Sequence, residues 1–83
     1  MGIILMRYKL ITISFDETVY SLIEKYPDIK DIMVTAGFEN ITKPGMLGTV
    51  GKVMTIRKGA RMKGIGLEEV KSLFLQHGYI TEE

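Results

Sequence analysis

Apolar side chains at Val19, Leu22, Ile23 and Tyr26 fall at i, i+3, i+4 and i+7, the spacing that puts four side chains on one face of an α-helix. This predicts an amphipathic helix over about residues 17–25, with the Asp16 carboxylate placed to accept from the free amides of its first turn. Pro27 ends it, because the proline ring disfavours helical backbone at Tyr26 and itself suits the first position of a new helix. Ile29, Ile32, Met33 and Ala36 then define a second helix over about 28–36, closed by Gly37, which can take a left-handed cap and let Phe38 fold back onto the core.

The period breaks after Glu39. Pro44 and the evenly spaced Gly45, Gly48 and Gly51 punctuate the stretch to Met54, which reads as a loop with one short helical turn. Thr55 caps a third helix over about 56–63 closed by Gly64, and Leu67, Val70, Leu73 and Phe74 give a fourth over 67–77 closed by Gly78. Two short β-branched or extended stretches, Leu10 to Ile13 and Tyr79 to Thr81, can pair and join the termini. The expected fold is all-α: a compact array of four main short helices arranged as two helical hairpins, with scope for a small two-stranded ribbon.

A chain of 83 residues makes one small domain, residues 1–83, with room for a single core. It has no cysteine, so disulfides, thiolate nucleophiles and cysteine-held metal sites are excluded, and a reducing cytoplasm is the expected location. The opening Met1–Met6 is apolar but is cut short by Arg7 and Lys9, too short for a leader's apolar core or a membrane span. The net charge of +1 conceals an asymmetry: six basic residues and no acidic one lie between Asn40 and Leu67, and all ten acids flank that tract.

Three candidate chemistries can be weighed against blander alternatives. The glycines do not make a P-loop, because Lys52 is followed by Val53 and the spacing is wrong, and they do not make the dinucleotide fingerprint. Gly45 to Gly48 spells the GxxG of nucleic-acid-clamping loops, a tetrapeptide common by chance, so a structural loop is the favoured reading. The basic tract can neutralise phosphates, but it lacks aromatics on which bases stack. Its helix-turn-helix echo, Ala60 before the turn glycine Gly64 and then Val70 and Leu73, fails at Gly59, Lys63 and the acidic start Glu68–Glu69. His77 stands alone, suited to a helix C-terminus rather than to metal binding, and the paired carboxylates Asp28/Asp31 and Glu68/Glu69 have no nucleophile beside them. Met33, Met46, Met54 and Met62 can form an adaptable docking surface, although methionines more often fill irregular core space.

The stretch "DETVYSLIEKYPDIKDIMVTAGF", together with "TIRKGARMKGIGLEEVKSLF", resembles a small bacterial and archaeal domain of unknown function, the "eighteen fifty-eight" family. The likeness covers about residues 13–79: the Asp-x-Thr-Val start, the Lys-Tyr-Pro break, the glycine after the second helix, and Thr55, Gly64, Leu67 and Glu69 in the closing helix pair. Many members are similar to hybrid-cluster-protein-associated redox-disulfide proteins and to the N-terminal domain of iron-sulfur-cluster repair proteins, and carry a cysteine pair just after the second helix. Here that place reads "ENITKPGML", without cysteine, so the redox function does not carry over. The resemblance implies a mainly helical, cysteine-less accessory or regulatory module.

The functional expectation is therefore a non-catalytic cytoplasmic domain acting through an unidentified protein partner, with no cofactor and no membrane association. The contact residues expected for a partner or an anion are Lys43, Gly45, Gly48, Gly51, Lys52, Arg57, Lys58 and Arg61. Binding of a nucleic acid or a phosphate ligand through the same basic, glycine-rich segment 43–63 is the alternative.

Overall fold

The first apolar stripe does form a helix, but its cap is not the expected one. In the computed structural model, which describes residues 10–82, the helix α1 spans Val19–Lys25 and its N-cap is Thr18, whose hydroxyl accepts from the Ser21 amide at 3.2 Å. Asp16 instead reaches across the chain to Arg57, Nε to Oδ1 at 2.8 Å. Asp16 and Thr18 are both good cap residues; Thr18 takes the cap and Asp16 the guanidinium. The apolar opening Met1–Met6 lies outside the described residues. Among the described residues no helix is long and apolar enough to cross a membrane.

Strand β1 (Ile11–Ser14) precedes α1; helix α2 (Ile29–Ala36) follows it. Gly37 then adopts a left-handed conformation at φ 105°, and the Phe38 amide returns to the Met33 carbonyl at 2.8 Å. That turn drives Phe38 inward, where it is buried. The segment read as a loop with one helical turn contains two 3₁₀ turns, Glu39–Thr42 and Val50–Lys52. Helix α3 (Ile56–Lys63) is capped by the Thr55 hydroxyl on the Lys58 amide and closed by left-handed Gly64. Helix α4 (Leu67–Gln76) ends just before His77, whose Nδ1 lies 3.0 Å from the Leu73 carbonyl in the helix's last turn.

Strand β2 (Tyr79–Glu82) pairs with β1 in parallel, from Ile11 opposite Tyr79 to Ser14 opposite Glu82. The molecule is thus mainly helical with a small parallel sheet, and all four helices lie in the connection between its two strands. A parallel pair needs a long crossover; here the rest of the domain supplies it. The core runs from this sheet into the helices: Phe74 packs edge-on to Phe15 at 5.5 Å and to Tyr79 at 6.1 Å, with Leu22, Ile29 and Ile32 fully buried around them. Around the starts of α1 and α3 the chain is cross-tied, the Val19 amide donating to Met54 O at 2.9 Å and the Arg57 amide to Phe15 O at 3.2 Å. These ties hold the start of α3 against the start of α1.

Candidate functional site

The three glycines at strict spacing do three different things. Gly45 has φ +88°, a backbone that other residues adopt with strain. Gly51 is buried, and a Cβ there would lie 3.0 Å from Leu47 Cδ1; a Cβ on Gly48 would meet nothing within 4 Å. A phosphate cradle needs free amides pointing at the ligand. Here seven of the nine amides from Met46 to Met54 donate to carbonyls between Lys43 and Val50, and the Thr49 hydroxyl adds a bond to Gly45 O at 2.6 Å. The segment is a run of tight turns whose amides are mostly taken up within it.

The expected basic residues are dispersed as well. Arg57 is engaged by Asp16, and Lys52 Nζ sits 5.0 Å over the Tyr20 ring of α1, so both have structural partners. Arg57 and Arg61 share a helical row on roughly the opposite side of α3 from Gly59. Lys43, Lys58 and Arg61 are exposed. Lys58 stands one turn before Met62 on the same row of α3, beside the feature that the fold does assemble.

That feature is an apolar cleft of about 130 Å³ between the 3₁₀ segment and α3. All four methionines among the described residues line it: Met33, Met46, Met54 and Met62. Met33 is fully buried, whereas Met46 and Met62 are 40% and 74% exposed, so the thioethers run from the core to the rim. Phe38 and Gly59 form part of the wall, and a Cβ on Gly59 would stand 3.1 Å from Phe38 Cε1. Glycine in the middle of α3 is what lets the Phe38 ring lie flush against the helix. Lys63 also borders the cleft, its Nζ donating to the Gly37 carbonyl at 3.2 Å.

Sequence reasoning grouped the four methionines but missed Phe38, Gly59 and Lys63 as cleft residues. The available signal was the row of positions 55, 59, 62 and 63, which share one side of α3. A second, more open hollow of about 420 Å³ lies between α2 and α4 and includes Thr35, Ile65, Glu69 and Gln76.

The titratable groups with displaced pKa values do not line the cleft. The Tyr79 phenol is raised, first by burial and then by its bond to Asp28. The Glu17 carboxyl is lowered, first by its bond from Lys25 and then by that from Ser21. Asp28 Oδ1 thus accepts from the Tyr79 hydroxyl, and among the described residues no three His, Asp or Glu converge as metal donors.

The family model described as Domain of unknown function (DUF1858) matches residues 13–71. The crystal structure of a conserved domain protein from Streptococcus pneumoniae TIGR4 is similar at a TM-score of 0.80 and 24% identity, over 86% of this chain and 90% of that one. At that identity the likeness carries the fold alone. No curated protein matches the chain.

Proposed function

The chain belongs to the DUF1858 family, and from that premise we propose that it is a non-catalytic, cytoplasmic accessory or regulatory domain that acts through protein contact at the methionine-lined cleft. One observation carries the reading. Four methionines from α2, the 3₁₀ segment, the approach to α3 and α3 itself converge on one apolar surface that remains open to solvent. Unbranched thioethers reshape at little cost, so such a surface can follow the contour of a partner's side chain. The basic character of α3 adds electrostatic attraction at its rim. The redox-disulfide chemistry of relatives has no thiol to run on here.

The test is site-specific photo-crosslinking in a bacterial lysate. A photoreactive residue replaces Met62 in one variant and Leu75, which is also exposed but on α4, in another. A discrete protein adduct at position 62 that is absent at 75, and that Met46→Gln weakens, is the expected result. Equal labelling at both positions would sink the reading. Retention on duplex DNA or RNA that Lys58→Glu and Arg61→Glu abolish, while Met62→Gln leaves it intact, would replace it with nucleic-acid binding.

A further inference from the structure

The volume of the cleft limits what can enter it. An apolar cavity of about 150 Å³ holds one benzene, so a cleft of about 130 Å³ takes a single bulky side chain such as that of leucine or phenylalanine. It is too small for two side chains or for an extended apolar ligand. On the protein-contact reading, the occupant is an anchor residue on a larger molecule.

Charge limits what can surround the anchor. Helix α3 carries Arg57, Lys58, Arg61 and Lys63 and no acid. Arg57 is neutralised by Asp16. Lys58 is exposed, has no carboxylate partner among the described residues, and lies one turn from Met62 at the mouth of the cleft. Lys63 borders the cleft itself and gives one of its three donors to Gly37 O. The opposing charge nearest in sequence to the lining is Glu39, exposed beside Asn40. One carboxylate does not offset these cations, so a segment with flanking carboxylates is attracted and a basic one repelled.

We propose that the cleft between the 3₁₀ segment and α3 is a socket for an acidic segment of a partner protein, one that inserts a single leucine or phenylalanine between flanking carboxylates. This rests on the protein-contact reading above and gives it a ligand class. The anchor buries against Met46, Met54 and Phe38, and its carboxylates meet Lys58 and Lys63.

Methionine methyl groups make the test direct. The intact protein with ¹³C-labelled methionine methyls is titrated with a short synthetic peptide carrying a central phenylalanine flanked on both sides by glutamates. Three controls replace the phenylalanine by alanine, the glutamates by glutamines, or the glutamates by lysines. The Met46, Met54 and Met62 signals are expected to shift in a saturable way with the glutamate peptide. Binding weakens more than about tenfold with the alanine control, as for an interface anchor, and weakens by a smaller factor with the glutamine control, in Lys58→Glu, and at high salt. Met62→Gln, at an exposed position that leaves the core intact, weakens every arm.

Lysine peptides that bind as well as glutamate peptides would overturn the acidic class and leave protein contact standing. An alanine control that binds as tightly as the phenylalanine peptide would overturn the anchor. Shifts that follow protein concentration without any peptide would assign the cleft to a second copy of this chain and overturn the proposal. If no peptide moves the methyl signals, the inference fails, while crosslinking at position 62 still decides whether the cleft meets a protein at all.

Discussion

Removing the Tyr79 hydroxyl tests how the sheet is locked to the helices. Tyr79 is buried, and its hydroxyl donates to Asp28 Oδ1 at 2.7 Å across 51 residues of sequence. Its ring lies 5.6 Å from Tyr26 and 6.1 Å from Phe74. Asp28 stands at the N-cap of α2 yet makes no capping bond with its side chain, so its carboxylate is committed to β2. A hydrogen bond to a charged group contributes roughly 1.5–3 kcal/mol, but Asp28 is exposed and water can replace the phenol, so the loss in Tyr79→Phe is about 1 kcal/mol. For a domain of this size that lowers Tm by about 4–8 °C. The pH dependence is a second readout. The phenol is held above its ordinary value of 10.0, first by burial and then by the bond to Asp28, so the folded state favours the protonated form. Its contribution is complete below that ordinary value and is lost as pH rises towards the raised one. Urea unfolding of both proteins from neutral to strongly alkaline pH should therefore show a steeper alkaline decline for the wild type than for Tyr79→Phe. Equal midpoints at neutral pH, or parallel alkaline limbs, would refute the argument.

Thr55→Ala removes the acceptor of the Lys58 amide at the start of α3 and should cost about 1 kcal/mol in urea unfolding, with Thr55→Ser close to wild type. Asp16→Ala breaks the contact with Arg57, but the Asp16 side chain is 63% exposed, so a change of no more than about 0.5 kcal/mol is expected; a larger one would show that this pair fixes α3. Glu17 is held below its ordinary value of 4.5, chiefly by Lys25 and then by Ser21, so its contribution is present above that value and is lost as pH falls through the lowered one. A series of Tm measurements from neutral to strongly acidic pH should show Glu17→Gln with a shallower acid limb than wild type.

Much of the helical scaffold was legible because its signals are local. The Val19–Leu22–Ile23 stripe, the Pro27 break and the glycines at 37, 64 and 78 act through neighbours a few residues away, and each lies at its expected place. The cap of α1 differs from the expected one because Asp16 and Thr18 both suit it, and the group that engages Asp16, Arg57, is 41 residues further on. The candidate site was the least legible part. Its basic tract is continuous in sequence, but helical rotation and specific partners send Arg57 to Asp16 and Lys52 to Tyr20. The cleft depends instead on how the two 3₁₀ turns fold against α3, and no periodicity encodes that. Four methionines scattered over 30 residues therefore meet without a linear motif.

The residues around the cleft go against local rules more than their neighbours do. Glycine within a helix is worse than alanine by roughly 1 kcal/mol, yet Gly59 lies inside α3, where Phe38 packs against it. Met62 is 74% exposed, although Ile56 and Ala60 on the same helix are nearly inaccessible. An apolar hollow also gives up the dispersion contacts that a filled core would make. A chain this small has little stability to spare, and a bulkier, branched side chain at 46, 54 or 62 would close the hollow with a stiffer surface. Each departure, taken alone, is ordinary. Their meeting at one surface follows the general tendency of local rules to be broken at functional or strained sites, and it supports the proposal that the cleft, and not the glycine loop, is the contact face.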